Sequence, residues 1–163
     1  MKKAIMIFII GGLLGAGGGF VLGIFFYPFI FLNDIVANDT IENPELKKIV
    51  VDGSFIHANP NDPVHWGKGP VTIFKDVVHL GQTFEVGPGP NYKVYLVEAG
   101  TIKESDDVKK SKFVDLGLLR VFKGEQNYKV PAGIDLSKYK SVVIWCEIFG
   151  VLISPAKLDF RGS

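Results

Sequence analysis

Residues 4–32 form an unbroken run of 29 uncharged, mostly apolar positions, longer than the roughly 20 that a helix needs to cross the hydrocarbon core of a bilayer. The pattern then changes. Residues 33–48 are polar, include Asp34, Asp39 and Pro44, and keep no sustained period, which reads as a spacer with a helical turn at 44–48. From Ile49 onward, short runs of Val, Ile, Phe and Tyr alternate with Gly, Pro and Asn clusters, as expected for an all-β domain. Strands are predicted at 53–56, 71–78, 82–86, 93–98, 113–121, 126–130, 141–149 and 156–160, with the charged stretch 103–112 as a solvated loop. Strands this short and this many suit an antiparallel β-sandwich or a jelly-roll-like domain. The expected organisation is a tip at 1–3, a transmembrane helix at 4–32, a spacer at 33–48 and a β domain at 49–163.

Charge gives the chain a direction. Lys2 and Lys3 precede the apolar run while Asp34 and Asp39 follow it, so the positive-inside rule puts the N-terminus in the cytoplasm and the β domain outside it, in a periplasm or on a cell surface. A cleaved signal peptide ending near Ala37 is the rival, but the run outlasts a signal peptide's apolar region. An uncleaved single-span anchor is expected. The chain has 18 lysines and arginines against 17 acidic residues, and without Lys2 and Lys3 the balance is 16 to 17. That is no nucleic-acid surface. Within the span, Gly11, Gly15, Gly19 and Gly23 recur every four residues and line one helix face, an arrangement through which a homodimer could pack; the frequency of glycine in membrane helices accounts for the same stripe. Pro28 is expected to kink or end the helix. The triplet Asn38-Asp39-Thr40 is a glycosylation acceptor only in a host with that machinery.

The sole cysteine, Cys146, lies in the apolar run 141–153 and has no intramolecular disulfide partner. Along a strand alternate residues share a face. Cys146 is therefore expected beside Val142, Ile144 and Ile148, with Trp145, Glu147 and Phe149 on the other face. An aliphatic face favours a packed, inert thiol, because burial raises its pKa. Chemistry is the alternative: thiolate and imidazole together can ligate haem iron or copper, or histidine can stabilise a thiolate, and His65 is the candidate partner. His57 and His79 are weaker candidates, at a strand end and just before the Leu80-Gly81 turn. Glu147 is expected to meet solvent, a partner or a basic side chain. Tyr128 and Tyr139 look like packing aromatics with a polar handle. There is no nucleophile elbow, no phosphate-binding glycine loop and no zinc-protease helix, so the chain does not read as a stand-alone enzyme.

Several pieces occur in order between Gly53 and Leu158. They are Gly53-x-Phe55, His65 before the strand opening at Gly67, Gly89-Pro90-Asn91 before Val94-Tyr95-Leu96, Gly124-x-Gln126-x-Tyr128-x-x-Pro131, and Val143-Ile144-Trp145-Cys146-Glu147-x-Phe149 closed by Ala156-x-Leu158. Their combination resembles the DM-thirteen (DM13) domain. The resemblance implies a redox or electron-transfer role through Cys146, as a bare thiol or as a ligand to a prosthetic group such as haem, with a redox or surface protein as partner. The cofactor itself stays unknown. Asn91 departs from the family, which often has Asp there, and this puts a carboxylate role at that position in doubt. The competing expectation is a non-catalytic interaction or envelope-binding module with Cys146 in its core.

Overall fold

The computed structural model describes residues 2–27, 30–31, 34–41 and 49–160. Helix α1 (Lys2–Tyr27) is long and apolar enough to cross a membrane, and none of it is buried against the rest of the chain. Space is open where a Cβ would stand at Gly11, Gly15, Gly19 and Gly23. The expected effect of Pro28 and the helical turn at 44–48 fall outside the described residues.

Ten strands follow among the described residues: β1 (Val36–Asn38), β2 (Ile49–Phe55), β3 (Gly67–Phe74), β4 (Val77–Leu80), β5 (Glu85–Val86), β6 (Tyr92–Val97), β7 (Phe113–Leu118), β8 (Lys123–Lys129), β9 (Ser141–Cys146) and β10 (Val151–Asp159). They make one mixed sheet in the order β1-β8-β4-β3-β2-β10-β9-β6-β7, with β5 bridging β3 and β8. Every pairing is antiparallel except β1 with β8. Val71, Leu80, Val94, Tyr128 and Ile144 come from strands distant in that order yet share one buried cluster, so the sheet curls over its own inner face like a sandwich. A second, smaller cluster of Tyr95, Val97, Ile102, Val108, Val143, Trp145 and Leu152 lies on the opposite face of β6 and β9. The short helix α2 (Ser105–Lys109) covers it through Val108, and the Asp107 carboxylate accepts the backbone N–H groups of Lys103 and Glu104 at its start.

Five expectations change. The charged stretch 103–112 is not a solvated loop throughout: it carries α2, whose Val108 is buried in the smaller cluster. The stretch 71–78 is not one strand: it reverses at Lys75 and Asp76 to make the β3–β4 hairpin. Residues 36–38, inside the expected spacer, form β1, held to β8 where the Asp39 carboxylate accepts from the Arg120 guanidinium and the Asn127 backbone. The stretch 113–121 stops at Leu118, because Gln126, wholly buried, captures the next segment: its Oε1 accepts from the backbone of Arg120 and Val121 and from the Tyr128 hydroxyl, and its Nε2 donates to Val121 O. Most consequentially, β9 ends at Cys146 instead of Phe149. The chain turns through 147–150, closed by Gly150 N–H donating to Cys146 O at 2.9 Å, and Gly150 has φ 61°, which glycine adopts at little cost. Ile148 therefore does not share the face of Cys146. It lies at the hairpin tip, 60% exposed beside Phe149 at 57%.

Candidate functional site

Cys146 sits at the last position of β9, opposite Tyr92 of β6 and Val151 of β10. A bulge in β10 between Leu152 and Ser154 sends Leu152 to the smaller cluster and Ile153 to the main one, beside Cys146. The thiol is 1% exposed, packed with Val142, Ile144 and Ile153, and donates to Pro90 O at 3.4 Å. Burial pushes its pKa up. The backbone N–H groups of Ile148 and Phe149, in the turn beyond it, pull the other way more weakly, and the nearby Glu147 adds to the rise. The result is a shielded neutral thiol with a small set of amides waiting for a thiolate.

His65 is held elsewhere at the same end of the domain. Its Nδ1 donates to Asp62 Oδ2 at 2.7 Å, and Asp62 Oδ1 accepts the backbone N–H groups of His65 and Val64. Hydrogen bonds from the His65 side chain and then from these amides lower the Asp62 pKa to about 2. His57 braces the same loop, its Nε2 lying 2.7 Å from Asp62 O. Asp62 and His65 line a cleft of about 320 Å³ with Lys103, Glu104, Ser105 and Leu152. His79 stands apart, bonded through Nδ1 to Asn127 Oδ1 at 2.7 Å.

Tyr92 stands opposite Cys146 across the β6–β9 ladder and also feels the charge of Asp62. Burial raises its hydroxyl pKa, and the neighbouring Cys146 and Asp62 add to the rise. A Cβ at residue 89 would collide with that hydroxyl, so only glycine fits there. Asn91 follows with φ 51°, a left-handed conformation that Asn and Asp tolerate best after glycine, and its C=O accepts the Glu147 N–H at 3.2 Å. The Asn91 position thus serves the backbone.

Cys146 and His65 make no hydrogen bond to each other; the thiol engages Pro90 and the imidazole engages Asp62. Among the described residues no three His, Cys, Asp or Glu side chains converge as a metal-binding group. A thiol 1% exposed and packed among core side chains leaves no open face for a metal or a macrocycle, so it does not fit haem or copper ligation.

A family model for electron transfer DM13 matches residues 60–158, from the Asp62 loop through β10. The chain belongs to the DM13 family. No curated protein and no solved structure matches it. Within this DM13 domain, sequence reasoning missed Asp62, Tyr92 and Tyr95. Asp62 had a local signal, since an Asp three residues before His65 and next to Pro63 favours a side-chain-capped turn. The two tyrosines had none, because their partners Cys146 and Glu147 lie some fifty residues away and meet them only through the β6–β9 register.

Proposed function

We propose that the chain is a membrane-tethered, extracytoplasmic electron-transfer module with Cys146 as its redox thiol. The DM13 match over 60–158 carries this reading. Burial of the thiol under the 147–150 turn supports a guarded centre: outside the cytoplasm an exposed lone thiol would be lost to intermolecular bridging or overoxidation. Access then requires the hairpin tip to open, and the amides of Ile148 and Phe149 stabilise the thiolate once it forms. Lys2 and Lys3 at the start of α1 support a cytoplasmic N-terminus, and the stripe Gly11, Gly15, Gly19 and Gly23 supports helix pairing in the membrane.

A second reading is a non-catalytic interaction module with Cys146 as core. The 1% exposure and raised pKa of Cys146 favour it. Thiol labelling of the full chain with and without denaturant, combined with voltammetry of the folded protein, separates the two. A reversible wave that disappears in Cys146→Ser supports the redox thiol. Labelling only after unfolding, with no wave, overturns it. Membrane crosslinking of the wild type against Gly15→Ile tests the helix pairing, and unchanged dimer yield would remove it.

A further inference from the structure

The chain holds an oxidisable side chain better equipped for one-electron chemistry than the thiol. Tyr95, on the opposite face of β6 from Tyr92's neighbours Val94 and Leu96, is 3% exposed and donates its hydroxyl proton to Glu147 Oε2 at 2.5 Å. Its ring stacks on Phe113 with centroids 4.5 Å apart and planes 14° apart, and on Trp145 at 6.5 Å and 27°. Phe113 is 47% exposed, so the stack runs from the residue preceding Cys146 out to solvent.

Loss of an electron from a phenol or a thiol is feasible near neutral pH only if the proton has somewhere to go. The three buried tyrosines differ in this respect. Tyr128 donates to the amide oxygen of Gln126, and no carboxylate takes a hydrogen bond from the Tyr92 hydroxyl among the described residues. Cys146 donates to a peptide carbonyl, which is no base. Only Tyr95 points its proton at a carboxylate, one placed on an exposed turn from which the proton can pass to water. Electrostatics also choose between the stacked rings. Lys109 Nζ lies 5.9 Å from the Trp145 ring, opposing positive charge there, whereas Glu147 beside Tyr95 favours it.

We propose that Tyr95 is a redox-active tyrosine of this electron-transfer module, with Glu147 as the base that takes its proton when an external high-potential one-electron acceptor draws the electron out past Phe113. This deepens the electron-transfer reading above and rests on it. In the step, the acceptor is reduced by one electron, the Tyr95 O–H bond breaks and an O–H bond forms on Glu147 Oε2. A neutral tyrosyl radical and a neutral carboxylic acid remain. An electron from a one-electron reductant reverses it, and the proton returns to the phenolate oxygen.

The test is flash-quench oxidation of the full chain in detergent with photogenerated tris(bipyridine)ruthenium(III), read by transient absorption and electron paramagnetic resonance. The wild type is expected to give a tyrosyl radical. Tyr95→Phe, which keeps the ring stack, should remove most of that signal, and Glu147→Gln should slow its formation at least about tenfold. Both substitutions keep side-chain shape, and an unchanged melting temperature for Glu147→Gln establishes that the loss is of the base. A tyrosyl yield unchanged in Tyr95→Phe, or formation in Glu147→Gln at the wild-type rate, overturns the proposal. Cys146→Ser in the same assay should leave the Tyr95 radical intact; a failed thiol shows only in the voltammetry above, so the two readings fail separately.

Discussion

Cys146 and Trp145 are neighbours on β9, yet they look into different surroundings. The face bearing Cys146, Ile144 and Val142 enters the main core, where residues from strands across the whole curled sheet meet it. Trp145 and Val143 face a thin cluster closed by α2 and the loop before it, in which the aromatic rings of Tyr95 and Trp145 keep polar edges near the surface. A dry aliphatic wall makes a thiol neutral and slow, because the thiolate would lose its solvation without gaining a counter-charge. A thin aromatic layer leaves room for a carboxylate and an ammonium at its rim. One residue along a strand therefore decides between a shielded core and a thin aromatic layer near the surface.

The largest effect that tests this contrast comes from the protective face. Ile144 is wholly buried, so Ile144→Ala should destabilise the domain by about 3–4 kcal/mol through lost burial and the cavity left behind. Thermal unfolding of the full chain in detergent, followed by near-ultraviolet circular dichroism, measures it. A cost below about 1 kcal/mol would mean that the core under Cys146 collapses freely and does not wall the thiol.

Cys146→Ser is next. Serine fits the volume and can donate to Pro90 O, but it places a hydroxyl among Val142, Ile144 and Ile153, so about 1–2 kcal/mol of stability should be lost. Cys146→Ala creates a small cavity without a polar group. If serine proves no worse than alanine in the same melts, water reaches the position and the dry wall is an incorrect description.

Much of this contrast was legible in the sequence. The alternation Val142, Ile144, Cys146 announces the core face, and Gly, Pro and Asn clusters mark most of the turns. The limits have physical causes. The 141–153 run is apolar throughout, so its reversal at Glu147 to Gly150 depends on one glycine that apolar patterning does not weigh. β1 is three residues long and owes its existence to Asp39 meeting Arg120 and Asn127, contacts more than eighty residues distant in sequence. Glu147 was recognisably out of place beside Trp145, but its partner is the Tyr95 hydroxyl and not a basic side chain, because strand register, which a sequence leaves open, puts β6 next to β9. His65 is readable as a candidate, while its fixed partner Asp62, three residues away, emerges only from the turn that brings their side chains together.

On the aromatic face, Tyr95→Phe removes one charge-assisted hydrogen bond at a partly exposed carboxylate, so the expected loss is about 1 kcal/mol, below the range for buried charged pairs. Because the stack with Phe113 is retained, the change in melting temperature should be small while the radical yield falls steeply. A large destabilisation with the same yield would make Tyr95 a structural residue only.

The smallest effect concerns Asp62, whose charge reaches toward the thiol through Tyr92. Its folded-state pKa, about 2, lies below the unfolded value of about 3.9. A depressed carboxylate pKa stabilises the fold above the unfolded value, and that contribution disappears as pH falls through the folded one. Asp62→Asn should accordingly melt below the wild type at about pH 6, and the two should converge as pH drops from about 4 toward 2. The difference should stay under about 1 kcal/mol, since the pair is screened by solvent. Thiol labelling of folded Cys146 should be the same in both proteins, because aliphatic packing and not the Asp62–His65 pair keeps reagents out. Faster labelling in Asp62→Asn would instead tie the guard on Cys146 to the histidine loop and weaken the assignment of protection to the inner face of β9.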